Sequence, residues 1–457
     1  MTTTLISGGA IVTVDRDSTI HDPGWIYIDG SVISGVGSGD PPLNLLESAD
    51  EHIDASGCAV MPGMTNAHTH LFQTFFRGLA DDQPLLDWLK TCIWPAAEHI
   101  DAETAYHAAR IGLLENLLGG ATSVIDHQYV HPGSEGDLID DAVCRAADEL
   151  GIRLLLGHGW ADRNYHDPLV EDAETAIRRT EGTRHRWEGR SNGRIRVELA
   201  PLIPWGCSDE GMKSTVKAAR SWGRGTHIHC AETREEVQMS IDERSMRHVH
   251  WLHSLGALGP DVQLAHSVWL DDDELDLIAA SGSVVVHCPV SNMYLASGVA
   301  RIVDMRDRGI TVALASDGPG SNNRQDMFEA LKATVLLQKV HRLDAMALQP
   351  EDALQMACAH GSNAFGTPGE FGQVTVGSLA DLLVVDLQSP FISPVHRVSS
   401  ALVFNASPAD IRHVLVGGEH LINNGRHRSV DVAEALDAAI SSARNLFRRA
   451  GIPSRLG

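Results

Sequence analysis

Eight apolar segments typical of β-strands recur after residue 58, and stretches with helical periodicity separate them. The strand candidates are residues 60–61, 123–125, 153–156, 196–200, 226–229, 262–265, 283–287 and 311–315. Amphipathic stretches such as residues 102–118 and 211–222 lie between them. The later candidates are almost continuously apolar, as strands buried on both faces of a parallel sheet are. Eightfold alternation of this kind predicts an α/β fold, a (β/α)8 TIM barrel with parallel strands.

Both ends of the chain carry shorter β-type segments. They are residues 3–6, 10–14, 25–28 and 32–36 before the barrel, and residues 382–386, 413–416 and 419–422 after it. Residues 38–50 are predicted to form a polar loop, and residues 431–450 a helix. We therefore expect a small composite β-sandwich domain from residues 1–57 plus 370–424, the barrel at residues 58–369, and a C-terminal helix within residues 425–457.

The composition of the chain excludes some partners. It has 36 Lys and Arg against 60 Asp and Glu, and its formal net charge is −24. Nucleic-acid phosphates are bound by basic patches, so we expect no nucleic-acid partner. No apolar run approaches the ~20 residues that span a bilayer, so we expect no membrane association. The seven cysteines form no CxxC pair, which predicts reduced thiols and a cytoplasmic location.

Polar motifs interrupt four strand candidates at their carboxyl ends, where barrel enzymes place their chemistry. Each has a bland explanation alone, since a histidine at a strand end caps a loop and Asp-Gly forms a turn. Four such interruptions together predict a metal-dependent active site, held by His and carboxylates because no cysteine has metal-site spacing. The motifs are His68-Thr69-His70, His227-Ile228-His229-Cys230-Ala231-Glu232, Leu264-Ala265-His266 and Ala315-Ser316-Asp317-Gly318.

These motifs resemble those of the amidohydrolase superfamily. Within it, the chain is similar to the aminohydrolase branch that contains S-adenosylhomocysteine and adenosine-type deaminases, 8-oxoguanine and guanine deaminases, and s-triazine hydrolases. The resemblance covers nearly the whole chain and is specific for the branch, but only weakly specific for the substrate. Further matching stretches are residues 62–70, 87–89, 287–292, 295–298, 321–323, 326–328 and 377–381.

The resemblance implies one zinc ion per chain, held by His68, His70, His229 and Asp317. His229 is preferred over His227 because the ligand of the family stands three residues before the glutamate. Relatives with two metals bridge them with a carboxylated lysine on the fourth strand, and residues 196–205 contain no lysine. Fe²⁺ suits the same ligand set as Zn²⁺.

The implied reaction is hydrolytic deamination of an amino-substituted N-heterocycle with release of ammonia. Zinc lowers the pKa of a bound water from 15.7 to roughly 7. Asp317 would orient or deprotonate this water, and His266 would polarise it and stabilise the tetrahedral intermediate. Glu232 would act as the proton shuttle to the ring nitrogen next to the attacked carbon.

The substrate ring stays open between a purine, nucleoside, pterin, pyrimidine and triazine. Asp87 stands where nucleoside-type relatives carry a longer glutamate that grips the ribose. Leu202 and His158 replace a histidine and an arginine of the S-adenosylhomocysteine deaminases. The predicted substrate-binding residues are Gln73, Asp87, Trp88, His127, Trp160 and Asn323.

Two other functions compete with deamination. One is an s-triazine hydrolase that releases chloride or an alkylamine. The other is a non-catalytic barrel that serves as a binding protein, which is disfavoured because the full set of predicted ligands and proton-transfer residues is present. The expected partners are a small heterocycle and water, and family analogy predicts a homo-oligomer.

Overall fold

A computed structural model describes residues 2–133 and 136–453. The first five strands are β1 (Thr3–Val12), β2 (Ile20–Asp29), β3 (Val32–Ser38), β4 (Glu51–Asp54) and β5 (Cys58–Pro62). The next eight are β6 (Met64–Thr69), β7 (Ala121–Gln128), β8 (Arg153–Trp160), β9 (Ile195–Pro201), β10 (Thr226–Cys230), β11 (Val262–His266), β12 (Val284–His287) and β13 (Val312–Leu314). The last four are β14 (Leu382–Asp386), β15 (Ile411–Val416), β16 (Glu419–Asn423) and β17 (Arg426–His427).

The helices alternate with the strands of the central region. The first nine are α1 (Leu43–Ser48), α2 (Leu85–Trp88), α3 (Trp94–Ala97), α4 (Ala102–Leu118), α5 (Gly136–Leu150), α6 (Ala173–Trp187), α7 (Arg190–Gly193), α8 (Asp209–Ser221) and α9 (Arg234–Arg244). The others are α10 (His248–Ser254), α11 (Asp272–Ser281), α12 (Pro289–Tyr294), α13 (Ile302–Asp307), α14 (Pro319–Asn322), α15 (Met327–Arg342), α16 (Pro350–Ala357), α17 (Ala359–Ala364), α18 (Val398–Phe404) and α19 (Val432–Arg449). Among the described helices, none is both long enough and apolar enough to cross a bilayer.

The eight strands β6 to β13 form one sheet in chain order, which confirms the predicted barrel. Neighbouring strands run parallel, as in β8 with β9 and β10 with β11. The sheet is nearly closed. At its ends, the backbone N–H of Asp317 donates to the carbonyl of His68 at 3.0 Å, and the hydroxyl of Thr69 donates to the carbonyl of Asp317 across 248 positions of the chain.

The first barrel strand differs from the prediction. Residues 60–61 belong to β5, which pairs with β1 and β14 of the other sheet, and the barrel begins with β6 instead. Gly63 separates the two strands. A Cβ atom at this position would lie 2.1 Å from the Thr122 hydroxyl, so only glycine allows this close approach. The His68-Thr69-His70 motif therefore lies on and just after a barrel strand, and does not follow a separate one.

The two ends of the chain combine in one mixed nine-stranded sheet, as predicted. Its order is β17-β16-β15-β14-β5-β1-β2-β3, with β4 paired to β1. Residues 3–6 and 10–14 were predicted as two strands, but residues 3–12 form the single strand β1, which ends at Val12 and has register shifts around Gly9. The residues 38–50 are also more ordered than predicted, because they contain α1, a short helix with no buried residue.

Backbone packing divides the chain into two compact units. One comprises Met1–Asn66, Glu115–Ser123 and Asp326–Val432, and the other comprises Ala67–Leu114, Val124–Gln325 and Ala433–Gly457. The second unit contains the carboxyl ends of all eight barrel strands, on which the predicted site depends. The domain boundaries predicted from the sequence stay a prediction.

Candidate active site

The four side chains predicted as metal ligands converge at the carboxyl ends of three strands. His68 lies in β6 and His70 directly after it, whereas His229 lies in β10 and Asp317 follows β13. Ring nitrogens of the three histidines lie within 4.8 Å of one another. Asp317 Oδ1 lies 3.3 Å from His68 Nε2 and 3.4 Å from His70 Nε2. All four side chains are buried, so the fold brings the predicted ligands together away from bulk water.

The hydrogen bonds behind these histidines direct their lone pairs towards one point. Nδ1 of His70 lies 2.8 Å from the carbonyl of His127, and Nδ1 of His229 lies 2.7 Å from the carbonyl of Leu202. A ring nitrogen that faces a carbonyl carries the proton, so Nε2 of each ring has the lone pair. These two Nε2 atoms are only 3.2 Å apart. Two buried lone pairs at this distance repel each other, and a cation that both can bind removes the repulsion. The group therefore fits a metal ion.

The protonation of the cluster also suits a metal. Burial lowers the pKa of His68 and His229, and lowers that of His70 to about 3, so the imidazoles are neutral. Burial by itself raises the pKa of Asp317, but a hydrogen bond from His68 and the charge of His266 outweigh it and hold that pKa well below its usual range. Neutral imidazole and carboxylate are the forms that ligate divalent cations.

Asp317 is held by three donors. The hydroxyls of Ser291 and Ser321 donate to Oδ2 at 2.6 and 2.9 Å, and the backbone N–H of Gly318 donates to Oδ1 at 2.7 Å. These bonds fix the carboxylate in one orientation. Ser291 was not predicted as a site residue, and its only signal in the sequence was its place in the matching stretch 287–292.

Glu232 and His266, the predicted proton-transfer residues, face each other beside the cluster. Glu232 Oε2 lies 3.5 Å from His266 Nε2, and Oε1 accepts from the Ser297 hydroxyl at 3.1 Å. His266 Nδ1 lies 3.0 Å from Asn292 Oδ1, which orients the ring. Burial raises the pKa of Glu232 to about 7, so this carboxyl can both give and take a proton near neutral pH.

Backbone strain marks the same strand ends. Ala231, His266, Ser267 and Asp317 have φ angles of 48°, 66°, 50° and 67°, in the left-handed region that residues other than glycine rarely adopt. Each such residue costs on the order of 1 kcal/mol or more, and strain of this kind is often found at functional sites. Three of the four predicted motifs carry it.

A cavity opens beside the cluster, and both polar and apolar side chains line it. Its polar lining consists of His70, Gln73, His229, Glu232, His266, Asp317 and Ser321. Its apolar wall consists of Leu85, Trp88, Leu89, Tyr129, Tyr165, Leu202, Ile203, Trp205 and Leu295. Most of the apolar wall was not predicted. Tyr129 had a signal in the sequence, because it stands two residues after His127 at a strand end.

Two of the six predicted substrate-binding residues, Gln73 and Trp88, line this cavity. Gln73 is held at both ends of its amide: its carbonyl accepts from the Gly320 N–H at 3.3 Å, and its NH₂ donates to the Tyr129 hydroxyl at 3.3 Å. A Cβ atom at Gly318 would lie 2.1 Å from the Gln73 carbonyl oxygen, which explains the glycine in the Ala315–Gly318 motif.

The other four lie outside the cavity lining. Asp87 is exposed, and Asn323 binds the Gly78 N–H at 2.7 Å. His127 is buried behind His229, with its ring stacked on that ring at 4.7 Å. Trp160 is buried at the end of β8. Their roles in substrate binding stay predictions.

A second buried cluster surrounds His158, one of the two departures noted in the sequence. His158 Nδ1 lies 2.6 Å from Asp140 Oδ2, and Nε2 lies 2.9 Å from Glu171 Oε2. His131 Nε2 contacts Asp140 Oδ1 at 2.9 Å, and its ring stacks on His158 at 3.9 Å. Burial by itself lowers the pKa of His158, but the two carboxylates outweigh it and raise it to about 10. His158 is therefore a buried imidazolium neutralised by protein carboxylates.

A parallel barrel that gathers histidines and an aspartate at the carboxyl ends of its strands has the architecture of a metal-binding barrel protein. Residues 59–421 match the model of the Amidohydrolase family, and the chain belongs to this family. The resemblance inferred from the motifs is thus confirmed.

Curated relatives of the chain carry deaminase names. The 5'-deoxyadenosine deaminase of Methanosarcina mazei is 35% identical over 97% of this chain and 98% of the relative. The 5-methylthioadenosine/S-adenosylhomocysteine deaminase of Halobacterium salinarum is 36% identical over 98% of each chain.

Solved structures share the whole fold. An adenosine deaminase from Xanthomonas campestris with bound zinc has a TM-score of 0.89 and 27% identity, over 98% of each chain. The atrazine chlorohydrolase from Arthrobacter aurescens, complexed with zinc, has a TM-score of 0.91 at 24% identity, over 96% of this chain and 100% of the other. At that identity, the second likeness shows the fold alone.

Metal analysis checks the ligand set. We expect one divalent cation per chain and a lowered metal content in His229→Ala, because this variant lacks one of the four proposed ligands. The matched control His227→Gln should keep the ion. His227 Nε2 touches His68 Nδ1 at 2.7 Å, and a Gln amide can still hydrogen-bond there. Inductively coupled plasma mass spectrometry of gel-filtered protein measures both. Full metal content in His229→Ala would contradict the assignment.

The cluster of His158 predicts a pH-dependent stability effect. The raised pKa of His158 contributes to the stability of the fold. This contribution is complete below about pH 6.5 and is lost as the pH rises through about 10. We expect His158→Gln to lower the free energy of unfolding by about 3 kcal/mol at pH 7, because Asp140 and Glu171 lose the buried cation between them, and only Glu171 keeps another in Arg179. Urea denaturation at pH 7 and pH 10 measures this difference, which should shrink at pH 10. An equal difference at both pH values would exclude the charged histidine.

Proposed function

We propose that the chain is a zinc-dependent hydrolytic deaminase of an amino-substituted N-heterocycle. Water replaces the amino group on a ring carbon, and ammonia leaves. The observation that carries this proposal is the pair of Glu232 and His266 facing each other beside a histidine and aspartate cluster. The deaminase names of the curated relatives support it. The bound zinc of the Xanthomonas campestris structure supports the choice of metal.

His68, His70, His229 and Asp317 would hold the ion. When bound, zinc lowers the pKa of a water molecule so that hydroxide is available near neutral pH. The donor set of three imidazoles and one carboxylate suits zinc and also Fe²⁺.

The residues of the chain supply the proton transfers. Asp317 is held as a carboxylate with Oδ2 occupied by two serine hydroxyls, so Oδ1 is the atom directed at the His68 and His70 side of the site. It orients the attacking water and accepts its proton.

Glu232 passes protons to the substrate. A ring nitrogen next to the attacked carbon gains negative charge as the water adds, and a proton from Glu232 prevents this build-up. The pKa of about 7 leaves a fraction of Glu232 protonated at neutral pH for this step. Burial by itself lowers the pKa of His266, but Glu232 and Asp317 outweigh it and raise that pKa. A cationic His266 stabilises the negative charge of the tetrahedral intermediate.

The same carboxyl separates deamination from loss of chloride. An amine leaves as ammonia only after it gains a proton, whereas chloride leaves as an anion without one. A buried glutamate that titrates near neutral pH serves the first reaction. It therefore favours the deaminase over a triazine hydrolase that releases chloride.

The location and assembly of the chain stay proposals. All seven cysteines are free thiols in the structure, which supports a cytoplasmic location. A homo-oligomer is proposed by family analogy.

An ammonia-release screen tests the reaction. We expect the zinc-loaded chain to release ammonia from at least one of a panel of adenosine derivatives, guanine, 8-oxoguanine, isocytosine, pterins and aminotriazines. Coupled detection of ammonia gives the rate for each compound. Chloride release from a chlorotriazine, with no ammonia from any compound, would favour the alternative hydrolase.

Glu232→Gln tests the proton shuttle. Gln keeps the size of the side chain but cannot give or take the proton, so kcat should fall roughly 10²-fold or more. Metal content should stay at one ion per chain. Glu235→Gln is the matched control, because Glu235 is exposed three residues further on, and its kcat should not change. Wild-type kcat in Glu232→Gln would contradict the assigned role.

A further inference from the structure

The charges of the cavity all lie at its reacting end. Glu232 and Asp317 are the carboxyl groups of its lining, beside His70, His229 and His266. None of the described residues that line the cavity is a lysine or an arginine. The rest of the lining is the apolar wall. A substituent that extends from the reacting ring therefore meets no cation there.

The apolar wall is part of one buried cluster. Eight of its nine residues belong to a continuous apolar core, and Tyr165 packs against that core. Its aromatic rings form a connected series that begins at the metal cluster: the ring of His70 lies 4.9 Å from that of Tyr129, Tyr129 lies 6.4 Å from Tyr165, and Tyr165 lies 5.9 Å from Trp205. A group that binds in this space is transferred out of water and packs against the faces of these rings.

The polar atoms of these rings are engaged by the protein. The indole N–H of Trp88 donates to the Gly320 carbonyl at 3.0 Å, and that of Trp205 donates to Glu236 at 3.0 Å. The Tyr129 hydroxyl accepts from Gln73 at 3.3 Å. The Tyr165 hydroxyl is buried and interacts with the side chains of Trp94 and Tyr129. The wall thus presents mainly ring faces and aliphatic groups.

His158 cannot supply the missing positive charge. It is a buried imidazolium, but both ring nitrogens contact Asp140 and Glu171, and it does not line the cavity. An anionic substituent packed against the apolar wall would lose hydration without gaining a counter-charge there, and this costs far more than burying an apolar group.

We infer that the site takes a neutral aminoheterocycle whose substituent is apolar, and that it rejects the same heterocycle when the substituent carries a carboxylate or a phosphate. The inference rests on the proposed deaminase function. The apolar wall sets the selectivity, whereas Glu232, His266 and the metal ligands perform the reaction.

Two matched pairs of compounds test this selectivity with the zinc-loaded full chain. One pair is 5'-methylthioadenosine and S-adenosylhomocysteine, which share a thioether nucleoside and differ in the charged amino-acid group. The other pair is 5'-deoxyadenosine and adenosine 5'-monophosphate. We expect kcat/KM to be about 100-fold or more higher for the neutral member of each pair. Values within about 3-fold in both pairs would overturn the inference.

Failure of this inference is distinguishable from failure of the proposed function. If none of the four compounds is deaminated but another base of the ammonia screen is, the pairs are compared as competitive inhibitors of that base. We then expect the inhibition constant of the neutral member of each pair to be about 100-fold or more lower, and inhibition constants within about 3-fold in both pairs would overturn the inference. Only a chain that releases ammonia from no heterocycle contradicts the proposed function itself.

A variant of the wall gives a second test. Leu85→Arg introduces the missing cation, and Leu85→Met is the neutral control of similar size. We expect the arginine to raise the ratio of kcat/KM for S-adenosylhomocysteine over 5'-methylthioadenosine about 10-fold relative to the methionine variant. A folding defect would lower both values together. An unchanged ratio in a folded Leu85→Arg variant would overturn the role of the apolar wall.

Discussion

The 3.2 Å approach of the Nε2 atoms of His70 and His229 is the constraint on which the site depends. The backbone carbonyls of His127 and Leu202 fix this distance, because they accept hydrogen bonds from the Nδ1–H groups of His70 and His229. Each carbonyl belongs to a neighbouring strand or its end, so the barrel itself sets the tautomer of both rings. The Nε2 lone pairs of both rings then point towards the same place, and a cation bound there makes this arrangement favourable.

Burial determines the rest of the chemistry. The same low-dielectric surroundings lower the pKa of the ligating imidazoles and raise that of Glu232 to about 7. One environment therefore gives two kinds of group, neutral ligands and a carboxyl that exchanges protons at neutral pH. The apolar wall lies in the same buried surroundings, and we infer that it excludes charged substituents for the same reason.

Much of the fold was predictable from the sequence, because buried strands appear as apolar runs that alternate with helical stretches. Seven barrel strands were located, and the helix at 431–450 corresponds to Val432–Arg449. The first barrel strand was misplaced because residues 60–61 are apolar, whereas residues 64–69 include Thr65, Asn66, His68 and Thr69 and give no apolar signal. The apolar residues belong to β5, which pairs with β14. The motifs at strand ends indicated which residues converge. Most of the apolar wall could not be predicted, because its residues come from short helices and from segments that follow strand ends, which are too short to leave a periodic pattern.

The contact between Thr69 and Asp317 spans 248 positions of the chain. A growing polypeptide must therefore be synthesised past residue 317 before its first pair of histidines can meet the aspartate. Closing this long loop costs conformational entropy, and each doubling of loop length adds only about 0.6 kcal/mol to that cost. A nascent chain that stops earlier can contain the three histidines but lacks the aspartate. The complete set of proposed ligands therefore exists only after the last barrel strand, β13, has been synthesised.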